Sequence, residues 1–164
     1  MNFKQLLEKI SKSDHNIGFT AVIDRYGMVK EKIQRDGTSS MMDEYEQKCQ
    51  EMVDDPEVRF AGLLDESGVL LAGGYKQGIT PRLTEDQHQI ICKELASRGP
   101  KRKKFDAELG HVKFSASRRE HLLIMSFPIY EKVLLIIAEP NVNIDRLSLR
   151  IVTKLGKQWD DFGG

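Results

Sequence analysis

Four histidines, two cysteines and a glycine-rich stretch are the residues of this 164-residue chain whose chemistry is worth testing first. A hydrolytic or metal site needs a nucleophile, a base and a charge-stabilising group within reach of one another. His15, His88, His111 and His121 fall in a turn, at a helix start and at two strand ends, and no two share the i, i+4 spacing that aims imidazoles at one metal. They read as solvated or edge histidines. Cys49 and Cys92 form no Cys-x-x-Cys pair, so they read as buried helix thiols and not as a zinc or redox motif. No serine occupies a Gly-x-Ser-x-Gly elbow. The stretch Leu71-Ala72-Gly73-Gly74-Tyr75-Lys76-Gln77-Gly78 lacks the Gly-Lys-Ser/Thr ending of a phosphate cradle and leads into a loop. Its glycines predict a bulge or a close backbone approach in a strand. Two Asp-x-x-Gly turns, at Asp24 and Asp65, carry no carboxylate ladder of a calcium loop, and each aspartate is expected to cap its own turn. The expected protein is therefore not an enzyme and carries no cofactor or metal.

The sharpest charge feature is Lys101-Arg102-Lys103-Lys104. Read conservatively it is a solvated face; read functionally it is a docking patch, which Arg118 and Arg119 extend if the fold brings them near. Nucleic acid is the least favoured partner, because 25 basic residues balance 25 acidic ones and no standing positive field results. No run approaches the roughly 20 apolar residues of a membrane span, and Lys4, Glu8 and Lys9 interrupt the apolar residues of the N-terminus. With two helix cysteines suited to a reducing compartment, the expected location is cytoplasmic.

The elements that would hold these residues show an internal echo. Sliding the chain by 41 positions aligns Phe19 with Phe60, Asp24 with Asp65, Gly27 with Gly68 and Gly37 with Gly78. About one match is expected from average composition. Each copy reads as a short amphipathic helix followed by a β-hairpin, either through shared turn chemistry or through duplication. From residue 40 onward the pattern is clearer. Met42, Tyr45, Cys49, Met52 and Val53 recur at helical spacing between Ser40 and Asp55-Pro56, and strands follow at Val58 to Leu64 and Val69 to Tyr75. Thr84 and Gln87 form a capping box for a helix whose apolar side is Ile90, Ile91, Cys92 and Leu95, and which Gly99-Pro100 is expected to interrupt. Strands are expected at His111 to Ser117, which alternates, and at His121 to Phe127 and Val133 to Ala138, which are apolar on both sides and thus central. Short links make these antiparallel. A last helix runs from an Asn143 cap to Gly156, and Trp159 and Phe162 lie in a tail.

The order helix-strand-strand-helix-strand-strand-strand-helix specifies an α+β fold: an antiparallel five-stranded sheet with one long helix on one face and the terminal helices on the other. An extra helix and hairpin precede it, dividing the chain into 1–40, 41–157 and a tail of 158–164. This order resembles the roadblock/dynein light chain group within the profilin-like and longin-like folds. The strings Val58-Arg59-Phe60-Ala61-Gly62, Leu71-Ala72-Gly73-Gly74 and Ala138-Glu139-Pro140 also resemble an uncharacterised archaeal family of that architecture. The roadblock resemblance implies a non-catalytic regulatory module in which two copies pair through the long central helix and the strand after it, and which recruits small GTPases or larger scaffolds. Carried onto this chain, it implies a homodimer surface of Gln87, Ile90, Ile91, Glu94 and Leu95 with Val112, Lys113, Phe114, Ser115 and the strand to Ser117. Two other readings stand beside it. One is a small-ligand sensor with a pocket between sheet and helix; the other is a weak binder of nucleic acid or an anionic surface through Lys101 to Lys104.

Overall fold

The computed structural model describes residues 5–7, 9–10, 19–23, 29–34 and 41–156. Two strands, β1 (Phe19–Ile23) and β2 (Val29–Gln34), precede helix α1 (Met41–Val53). Strands β3 (Val58–Leu64) and β4 (Leu70–Tyr75) lead to helix α2 (Glu85–Lys103) and a single turn, α3 (Asp106–Leu109). Strands β5 (Ser115–Arg118), β6 (Leu123–Ile129) and β7 (Lys132–Ala138) and helix α4 (Ile144–Leu155) complete the order. The last five strands form one antiparallel sheet in the order β4-β3-β7-β6-β5, which is the α+β layer architecture expected.

Alternation of side chains divides the sheet into two apolar faces. One holds Leu63, Met125, Phe127, Leu134 and Ile136 against Cys49 and Met52 of α1 and Leu147 and Ile151 of α4. The other holds Phe60, Leu64, Ile124, Leu135 and Ile137 against Cys92 and Leu95 of α2. Strands β6 and β7 are buried on both sides, as their unbroken apolar runs require. The terminal helix is fixed at both ends: the Asn143 side chain accepts from the Arg146 amide at 2.9 Å, and Gly156 closes it at φ +64°.

The Asp65 turn behaves as its sequence implies. Its carboxylate accepts from the amides of Ser67 at 2.8 Å and Val69 at 2.9 Å while Gly68 adopts φ +83°. Gly73 is the close approach: at φ +95°, a Cβ there would lie 2.1 Å from the Ala61 carbonyl oxygen.

The echo of 41 positions reappears as register. Phe19 pairs with Gln34 as Phe60 pairs with Tyr75, Ile23 with Val29 as Leu64 with Leu70, and both hairpins shift register at the same place, before Ile23 and before Leu64. The two differ in what lies outside them. β3 goes on to pair with β7, whereas β1 and β2 form a separate two-stranded sheet, so the N-terminal hairpin does not extend the main sheet. The turn residues Asp24 and Gly27, the cap at Ser40, His15, Trp159 and Phe162 lie outside the described residues.

Two expected boundaries are corrected. Gly99-Pro100 does not end α2, which runs on to Lys103. Pro100 removes one amide donor, but the turn beyond it is held by tertiary contacts: Arg102 donates to the Ser115 hydroxyl and Lys103 pairs with Glu131 at 3.1 Å. The strand expected from His111 begins only at Ser115. In the β5–β6 register, Ser115 faces Ser126, so Lys113 would face Pro128, which has no amide hydrogen to continue a ladder.

Candidate interaction surface on helix α2 and strand β5

Helix α2 starts with a complete capping box: the Thr84 hydroxyl accepts from the Gln87 amide at 3.2 Å, and the Gln87 side chain accepts from the Thr84 amide at 3.0 Å. From that start the helical period buries His88, Cys92, Leu95 and Ala96 against the sheet. Ile90, two residues from His88, is turned to the opposite side and stands 64% exposed. This corrects two expectations. His88 is neither solvated nor at an edge, since it lies edge-on to Phe60 with centroids 4.9 Å apart and its Nδ1 is 3.5 Å from the Tyr75 hydroxyl. Leu95, at 7% exposure, belongs to the core and presents no outer surface.

β5 is an edge strand. It pairs with β6 on one side, and no described strand covers the other. A narrow groove between it and α2 is lined by Ile91, Glu94 and Arg98 from the helix and by Ser115 and Ser117 from the strand. Toward the start of α2 the groove opens into a concavity of about 680 Å³ bordered by Gln87, Ile90, Ile91, Arg119 and His121. The structure thus brings together Gln87, Ile90, Ile91, Glu94 and Ser115. It sets Phe114 apart, because its ring is half-buried and stacks on Phe127 at 5.7 Å between centroids. Lys113 is exposed and Val112 half-buried, both ahead of β5 in non-strand backbone.

The basic residues do not form one patch. Lys101 and Lys104 are exposed, but Arg102 is half-buried against Ser115 and Lys103 is occupied by Glu131. Arg118, at the far end of β5, donates to the carbonyls of Pro140 and Val142, the latter at 2.7 Å. It ties β5 to the loop before α4. Arg119 borders the concavity beside Ile90 instead.

The remaining titratable groups are dispersed. Burial pushes the Cys49 thiol up to about 12 and the Cys92 thiol to about 11, so neither is a thiolate at neutral pH. Burial would also raise the Asp55 carboxyl, but the Arg150 guanidinium and the Glu57 amide outweigh it and hold the group below its usual range. Asp55 thereby joins the α1–β3 corner to α4. Among the described residues no group of three His, Cys, Asp or Glu side chains is placed to hold a metal ion, and no helix is long and apolar enough to cross a membrane.

Comparison with known proteins fits this arrangement. The profile of a Family of unknown function (DUF6659) matches residues 39–164, from the start of α1 through the sheet and α4 to the tail. The chain belongs to this family. No curated protein sequence matches it. Among solved structures, MglB with tetrameric arrangement aligns at a TM-score of 0.60 and 12% identity, covering 77% of this chain and 93% of that one. The gliding protein MglB of Thermus thermophilus aligns at 0.57 and 13%, covering 76% and 95%. A Roadblock/LC7 domain from Streptomyces avermitilis aligns at 0.52 and 12%, covering 73% and 98%. The fold of this DUF6659 protein is therefore roadblock-like.

Proposed function

We propose that this DUF6659 protein is a non-catalytic regulatory module that works by self-association and partner recruitment, with α2 and β5 as its docking surface. The observation that carries the reading is Ile90: a β-branched apolar side chain, 64% exposed, which borders the concavity with Ile91 and with Arg119 of the β5–β6 link, while Ile91 also lines the groove beside β5. An edge strand flanked by apolar helix surface offers both backbone hydrogen bonds and buried area to a second chain. A two-fold pairing of α2 with α2 and β5 with β5 would cover both at once. The tetrameric arrangement recorded for MglB, a structure of the same fold, supports self-association. A small GTPase or a larger scaffold is the partner class that the roadblock resemblance implies, and the concavity at Ile90 and Arg119 is the surface offered to it.

The test of the surface is Ile90→Asp. Placing a charge at the centre of a pairing face is expected to weaken self-association at least tenfold, read by sedimentation, while the far-UV circular dichroism spectrum stays unchanged. Unaltered association would remove α2 from the interface. For the partner, capture from a lysate with and without added nucleotide is expected to enrich a small GTPase in one nucleotide state; enrichment of none would remove that half of the reading.

A further inference from the structure

A cavity of about 130 Å³ lies between the C-terminal half of α2 and the sheet, apart from the exposed apolar surface at Ile90. Leu95, Pro100, Val112, Pro128 and Val133 make most of it apolar. Its floor is not. Ser126 projects from β6 on the α2 side, 7% exposed, and lines both this cavity and the groove beside β5. Four polar residues are buried in the described chain, and three have partners: Asp55 with Arg150, His88 with Tyr75, and Ser148 with the Asp145 carbonyl. The Ser126 hydroxyl has none among the described residues, although a buried unpaired hydroxyl is costly.

Among the described residues, one cation that faces the same space forms no ion pair. Arg102 lines the cavity, and its guanidinium donates to the hydroxyl of Ser115, the cross-strand neighbour of Ser126. The other polar groups of the rim are already engaged: Lys103 with Glu131, the Asp106 carboxylate with His111 Nδ1 at 2.9 Å, Arg98 with Glu94, and Lys132 over the Tyr45 ring at 5.9 Å. Glu66 stands exposed at the mouth, where solvent screens it. A guanidinium with four donors free and a buried hydroxyl beside it match a carboxylate, and the apolar walls match a short hydrocarbon or aromatic body.

We propose that this cavity is a binding site for a small organic carboxylate, whose carboxylate meets Arg102 and Ser126 and whose apolar part lies against Leu95, Val112 and Pro128. The proposal does not rest on self-association, although Ser126 borders both the cavity and the groove beside β5. It is tested by the melting temperature of the full chain against butyrate, hexanoate and benzoate, with sodium chloride at matched ionic strength and inorganic phosphate as separate arms. At one hundred times the dissociation constant the expected rise is roughly 5–10 °C for a chain of this size. Arg102→Gln and Ser126→Ala are each expected to weaken the response at least tenfold, and Ser126→Ala should melt no lower than the parent without ligand. That last readout separates a lost ligand contact from a lost fold. No saturable rise with any carboxylate, an equal rise with phosphate or chloride, or a full response in both variants would overturn the proposal.

Discussion

His88 shows how one residue's phase on a helix becomes a property of the whole protein. Burial against Phe60 and Tyr75 disfavours the imidazolium, so its pKa lies below the ordinary 6.5. The unfolded chain then binds a proton that the folded chain refuses. Stability is full above pH 6.5 and falls as pH drops below it, by at most about 1.4 kcal/mol per unit. His88→Phe is expected to flatten this slope in denaturant titrations between pH 5 and 7; an unchanged slope would mean that another group governs it. Two glycines offer a second test at this scale. Gly73 and Gly78 share a positive φ, but a Cβ at Gly73 would strike backbone while one at Gly78 meets nothing within 4 Å. Gly78→Ala should cost about 1–2 kcal/mol, the strain of φ alone, and Gly73→Ala about 3 kcal/mol or more. Equal losses would contradict the close approach of β3 and β4.

Among the elements, those specified by local chemistry were legible in the sequence. The Thr84–Gln87 box, the Asp65 turn and the Asn143 cap each fix a boundary through bonds within four residues, and each stands where the sequence implies. Boundaries set by distant residues were not. The end of α2 depends on Ser115 and Glu131, and the start of β5 depends on a proline facing it from β6. The same distinction runs through the candidate surface. The sequence groups Ile90, Ile91, Cys92 and Leu95 on one apolar side, and the structure splits that set, with Cys92 and Leu95 buried and Ile90 exposed, because helix phase is settled only when the sheet takes up His88 and Ala96. Ser126 carried no sequence signal, because a serine within Leu123 to Phe127 looks like any small residue in a strand; its meaning comes from Arg102 across the helix–sheet gap and from Ser115 on the neighbouring strand.

For the whole molecule, the five-stranded sheet and its two apolar faces lie within residues 41–156, and the N-terminal hairpin repeats the register of β3 and β4 without joining their sheet. Ahead of that hairpin, Leu7 is buried, at 1% exposure. Deletion of residues 1–40 is therefore expected to lower stability by about 1.5–3 kcal/mol, the burial of one such side chain, while the remaining chain keeps its cooperative transition. An unchanged melting temperature would show that the segment packs on nothing. The central claim is that the face of α2 and β5 is completed by a second copy of this chain. Sedimentation equilibrium of the full-length protein at micromolar concentration tests it most directly. A mass of twice 18.7 kDa or a higher multiple is expected, and 18.7 kDa at every concentration would contradict it.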